Sequence, residues 1–153
     1  MATLGTFASG QILTAAELNA IGTFTNYTPT LTGITVGNGT TVARYVEINQ
    51  IVFWSVVFTF GSTSSVTAAV FVSLPSTAGN LYEAANSANC QFEDVSASII
   101  NGGFVQRDSG TRVGLRVANA AGTYSVGTAL SSTVPFSWAN GDIIAASGFY
   151  RKA

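Results

Sequence analysis

Ten consecutive residues, Ile51-Val52-Phe53-Trp54-Ser55-Val56-Val57-Phe58-Thr59-Phe60, constrain the fold of this chain more than any other stretch. β-Branched and aromatic side chains dominate the run. They lose rotamer freedom in a helix and pack well on a pleated surface. Read as a strand, with alternate residues on opposite sides, it places Val52, Trp54, Val56, Phe58 and Phe60 on one face. Ile51, Phe53 and Val57 fall on the other. A strand that is apolar on both sides is central and covered twice, by its own core and by another layer or subunit. The closing run from Asp142 to Tyr150 has the same character. By contrast, the segment Thr111 to Val117 alternates cleanly: Val113, Leu115 and Val117 point inward, and Arg112 and Arg116 share the wet face.

Turn chemistry separates these runs. Asn38-Gly39, Asn101-Gly102 and Asn140-Gly141 predict hairpins, because both residue types tolerate positive φ. Proline is confined to Pro29, Pro75 and Pro135. Many short antiparallel strands at this spacing predict an all-β fold, an antiparallel β-sandwich of jelly-roll type over residues 23–153. Ahead of it, residues 1–12 carry no periodicity and read as an extended arm. Thr14 fits a helix N-cap and Glu17 completes a capping box, with Leu13 and Leu18 placed as a hydrophobic staple. Gly22 follows Ile21 as a terminator. Two turns of helix are marginal alone, so Leu13, Leu18 and Ile21 call for a docking surface. Residues 1–22 are thus expected to be an attachment unit.

Charged residues make up 8% of the chain, against roughly 25% in an ordinary soluble domain. Such a surface is either a neutral one of Ser and Thr, or one buried between copies of the protein. The two doubly apolar runs favour a homo-oligomer, with Trp54, Phe58 and Phe60 at its core. The net charge is −1 and the six cations are scattered, which argues against a nucleic-acid partner. No apolar run approaches the length of a membrane helix. The N-terminus lacks the basic start and apolar core of a signal peptide, so the expectation is synthesis in a cytoplasm without membrane insertion.

The chemistry available is narrow. No histidine is present, which removes the commonest general base and metal ligand. The single cysteine, Cys90, allows no intrachain disulfide and reads as a small buried hydrophobe. A zinc site would have to be built of carboxylates alone. The Gly37-x-Gly39 pair lacks the further glycine and lysine of a phosphate-cradling loop. Two carboxylates across a cleft would suffice for glycoside hydrolysis. However, Glu17 belongs to the capping box, Asp108 to a turn, and Glu93 and Asp94 to opposite faces of a strand, leaving Glu47 and Glu83 as the pair a fold could unite. The expectation is a protein that is not an enzyme and carries no catalytic residue, cofactor or metal. Trp138, two residues before Asn140-Gly141, is the side chain best placed for a glycan contact, with rim packing as the alternative.

The first half of the chain also carries two recognisable pieces. Phe7, Gly10, Leu13-Thr14-Ala15-Ala16, Leu18 and Asn19 form an F-x-x-G-x-x-L-T-A-A-x-L-N element. Tyr27, Pro29, Leu31, Gly33, Gly37-Asn38-Gly39, Tyr45 and Phe58-Thr59-Phe60-Gly61-Ser62 follow as a second module. Together they resemble the knob modules of minor tail and fibre proteins of bacteriophages, especially those of Gram-positive and actinobacterial hosts. Phe24 stands near where such modules usually carry tryptophan, and Asn49-Gln50 where a turn glycine is common. Beyond about Leu74 the likeness is one of composition. The resemblance implies a virion structural protein, commonly trimeric, displayed on the particle exterior, with no shared catalytic residues. It implies a minor tail protein with a host-surface adhesion role, whose partners are itself, other virion proteins and a host-surface glycan. The chain has no heptads or collagen-like triplets, and a shaftless knob on an arm also suits a capsid decoration protein clipped to the shell.

Overall fold

The computed structural model describes residues 10, 12, 14–16 and 22–153. Residues 15 and 16 are helical. The attachment role of Leu13, Leu18 and Ile21 lies outside the described residues.

Among described residues 22–153, ten strands and one short helix follow in order: β1 (Thr25–Asn26), β2 (Leu31–Thr35), β3 (Thr40–Ile48), β4 (Ile51–Thr59), β5 (Ser65–Ser73), α1 (Leu81–Asn86), β6 (Ala88–Asp94), β7 (Ile99–Ser109), β8 (Arg112–Asn119), β9 (Val126–Ala129) and β10 (Ile143–Arg151). The pairing order is β1-β3-β4-β10-β6-β7-β8-β5-β2, with β9 also on β8. Every pairing is antiparallel. β5 and β9 share one edge of β8, the first beside Arg112–Gly114 and the second beside Arg116–Asn119. The fold is therefore all-β and antiparallel, as the alternation predicts. It is one sheet curled into a half-barrel, and jelly-roll connectivity is not established by this order.

Curling brings the two wings of the sheet over one core. Val52, Trp54, Val56 and Phe58 of β4 meet Val66, Val70 and Val72 of β5, Phe92 of β6, Val113, Leu115 and Val117 of β8, and Ile144 and Tyr150 of β10. β4 buries alternate residues along its length, because side chains alternate across the pleat. The assignment of Trp54, Phe58 and Phe60 to an oligomer seam is corrected here. Within a single chain they are only 2%, 1% and 2% exposed. The opposite wing covers them, so they are the core of the protomer.

The turns depart from expectation in an instructive way. Asn38-Gly39 closes no hairpin, since β2 pairs with β5 and β3 with β4; it carries the chain from one wing to the other. The Asn38 carboxamide stitches this turn to the one after β4: Oδ1 accepts from Thr63 N and Thr63 Oγ1 at 2.9 Å, and Nδ2 donates to Ser62 Oγ at 3.1 Å. Asn101-Gly102 lies inside β7, opposite Phe92 and Gln91. The turn before β7 is built instead by Asp94, whose carboxylate accepts from Ser96 Oγ and Ala97 N and is held below its ordinary pKa by those two bonds. Asn140-Gly141 does form a turn, leading into β10 with Gly141 at φ 95°. The tight β3–β4 hairpin uses Asn49-Gln50 between paired Ile48 and Ile51, with Asn49 at φ 57°. Asparagine visits that left-handed region more readily than most residues.

Candidate functional site

The outer face of the curl has two different halves. On β3, β4 and β10, Val42, Ile48, Ile51, Phe53, Val57 and Phe149 are between 36% and 53% exposed. Strand register brings them together: Val42 lies beside Val57, Ile48 beside Ile51, and Phe149 beside Phe53. The Phe53 and Phe149 rings are 5.7 Å apart. At one end of this patch a cavity of about 410 Å³ is bounded by Ile51, Ser87, Phe149, Tyr150 and Arg151. This is the second apolar side that the run 51–60 displays in sequence, and the patch is exposed among the described residues.

On β7, β8 and β9 the outer face is mixed. Arg112 and Arg116 do share it, as alternation predicts, but their surroundings differ. Arg112 is paired with Asp108 at 2.5 Å and lies 4.7 Å from the Phe71 ring centre. Arg116 donates through Nε to the neutral amide oxygen Oε1 of Gln106. Phe104, directly across from Arg116 on the neighbouring strand, is 45% exposed. Phe104, Val105, Gln106, Arg116 and Gly127 line a groove of about 470 Å³. Sequence reasoning missed Phe104 and Gln106 because Asn101-Gly102 reads as a turn. Taking 99–109 as one strand would have put Phe104 and Gln106 on one side and Val105 on the other.

Trp138, the residue singled out for a glycan contact, has its ring among the protein's own aromatics. It stacks on Phe60 at 4.7 Å and 16°, meets Phe136 at 4.6 Å, and presents an edge to Phe92. Its Nε1 donates to the Ser131 carbonyl at 2.9 Å. Those contacts favour the packing alternative, since stacking on a sugar requires a free ring face.

The polar groups are mostly committed to structure. Asp142, 1% exposed, accepts from Val95 N and Ala139 N and ties two turns together. Glu47 is bonded to Lys152 at 2.8 Å; the Glu83 side chain lies outside the described residues, so the pairing of the two acids is not placed. Cys90 is buried, and burial pushes its thiol up to about 11. Tyr150 Oη receives Ser76 N and donates to Ser76 O. Burial, with that bonded pair opposing it, holds the phenol above its ordinary value. Two buried polar atoms, Tyr27 Oη and Trp54 Nε1, have no hydrogen-bond partner among the described residues. Among the described residues no group of three or more His, Cys, Asp or Glu is placed to hold a metal ion. No helix among them is long and apolar enough to cross a membrane.

No protein-family model matches the chain, and no curated protein or solved structure matches it either.

Proposed function

We propose that this chain is a non-enzymatic structural protein of a bacteriophage virion, a self-associating knob displayed on the particle surface. In this reading it is a minor tail protein with a host-surface adhesion role. The observation that carries the reading is the apolar outer patch of β3, β4 and β10, where six large apolar side chains stand exposed on adjacent strands. Exposed apolar patches of this kind mark association surfaces, and 8% charge leaves little to keep copies apart. The resemblance of residues 7–19 and 27–62 to phage knob modules supplies the setting, and trimers are the usual assembly there.

Light scattering on purified protein at micromolar concentration tests the association, with a trimer mass expected and a clean monomer counting against it. Gold-labelled antibody on particles tests the setting. Label at the tail supports adhesion, label over the head supports capsid decoration, and unlabelled particles remove the virion reading.

A further inference from the structure

We propose that the groove on the outer face of β7, β8 and β9 binds an anionic saccharide, a sugar unit bearing a carboxylate or a phosphate. The inference gives the adhesion role a ligand class, but it stands on the groove itself.

Arg116 supplies the charge recognition. Its Nε is held by Gln106 Oε1, which fixes the guanidinium plane and leaves the terminal nitrogens to donate. Among the described residues no carboxylate pairs with it, whereas Arg112 on the same face is neutralised by Asp108. A guanidinium oriented by one edge takes a carboxylate or phosphate through parallel hydrogen bonds on another. Gln106 adds neutral donors: with Oε1 accepting from Arg116, its amide NH₂ is directed to hydroxyl-type acceptors.

Phe104 supplies the ring recognition. It lies across the ladder from Arg116 and is 45% exposed. The C–H face of a pyranose packs against an aromatic face while its hydroxyls and acid group reach past the rim to Gln106 and Arg116. Gly127 keeps this arrangement open. It sits opposite Ala118 at the groove edge, and a Cβ there would stand 3.2 Å from Arg116 Cβ and 3.5 Å from the Phe104 ring. The trough of about 470 Å³ falls within the usual range for small-ligand sites, roughly 300–1,000 Å³. A nucleic acid does not suit it. Arg116 is the one cation that lines the groove, and in a chain of net charge −1 it cannot offset a phosphodiester polyanion.

The test is titration of the full chain, by calorimetry and saturation-transfer NMR, with three probes. These are a uronate tetrasaccharide from hyaluronan, N-acetylglucosamine 6-phosphate and neutral chitotetraose. The expected result is a Kd of about 1 mM or tighter for at least one anionic probe. Which of the two binds distinguishes a carboxylate from a phosphate source. Chitotetraose should bind at least about tenfold more weakly, a gap of ~1.4 kcal/mol. Arg116→Gln should weaken the anionic probe at least about tenfold, with Arg116→Lys recovering part of the loss because it restores charge without the fork. Phe104→Ala should weaken it independently, and unchanged melting of each variant shows that the fold is intact.

Absence of binding by both anionic probes at about 10 mM, equal binding of the neutral probe, or wild-type affinity in Arg116→Gln overturns the proposal. Binding by a protein that labels no particles would leave the groove standing and remove the virion reading. Labelled particles with no saccharide binding would do the reverse.

Discussion

Tyr150 and Tyr27 show how two buried phenols of the same chain are worth opposite things. Tyr150 Oη satisfies both the N–H and the carbonyl of Ser76, so Tyr150→Phe strands two backbone groups and should cost about 1–3 kcal/mol. Tyr27 Oη is buried with no hydrogen-bond partner among the described residues, and its ring packs edge-on against Tyr45 at 5.7 Å. Tyr27→Phe keeps the ring and removes an unsatisfied hydroxyl, so it should be neutral within about 0.5 kcal/mol or stabilising. Urea unfolding of the two variants checks the contrast, and equal losses would refute it. The same burial sets an alkaline limit. Cys90 is shifted by burial from 9.0 to about 11, and burial also raises Tyr27 and Tyr150 above 10.0. Between pH 9 and about 11 the folded chain retains a proton on Cys90 that the unfolded chain has released. Stability present below pH 9 is therefore lost as pH rises through that window, at up to about 1.4 kcal/mol per pH unit for each such group. The tyrosines add to the loss above pH 10. The urea midpoint of wild type should fall from pH 9 upward, and Cys90→Ala should flatten the first part of that fall.

At the scale of elements, β2 is held to β5 across an irregular register, and one glycine makes that possible. Gly33 adopts φ 81° where the register shifts between Thr32 and Ile34. A Cβ there would overlap the Ala69 carbonyl. Left-handed backbone alone costs a non-glycine residue roughly 1–2 kcal/mol, and the overlap adds to it. Gly33→Ala should lower stability by about 2–4 kcal/mol, read from the urea midpoint. Asn49→Gly, at φ 57° in the β3–β4 hairpin, relieves a milder form of the same strain and should be neutral or slightly stabilising. A Gly33→Ala variant as stable as wild type would mean that β2 can re-register without loss. α1 is an element that the β-rich pattern did not announce. Asn80 Oδ1 accepts from Tyr82 N at its start, and Ala84 and Ala85 are buried. Arg107 lies over the Tyr82 ring at 4.4 Å. With six residues it is too short to show a helical period in sequence.

At the scale of the whole molecule, one face of the curl is its core and half of the other is apolar yet exposed among the described residues. If that half is the self-association surface, charge placed at its centre should dissolve the assembly without unfolding the protomer. Phe53 and Phe149 are neighbours there, 41% and 47% exposed. Phe53→Asp with Phe149→Asp should convert the oligomer to a monomer in light scattering, while the melting transition of the protomer remains cooperative. An oligomer that survives this double change would place the interface elsewhere. Trp54→Ala, by contrast, should unfold the protomer itself, because its side chain is 2% exposed within one chain and large-to-small changes at such sites cost about 3–5 kcal/mol.

Alternation by itself determined the strand character of 51–60, 111–117 and 142–150, the inward set Val113, Leu115 and Val117, and the shared face of Arg112 and Arg116. A period of two dictates those whatever the strands pair with. It also identified Ile51, Phe53 and Val57 as a second apolar face. It could not say which of the two faces of β4 the protomer buries, since both are hydrophobic. Only the curl of the sheet decided that, by bringing β5 and β8 over Trp54 and Phe58. Local turn chemistry was equally blind to pairing: Asn38-Gly39 bends the chain, but the bend joins two wings, and Asn101-Gly102 was absorbed into a strand because β6 pairs along it at Phe92 and Gln91 and β8 takes up the other edge from Gly103. The groove at Arg116 is likewise a product of register. Phe104, Arg116 and Gly127 come from three strands, and nothing in their spacing along the chain places them side by side.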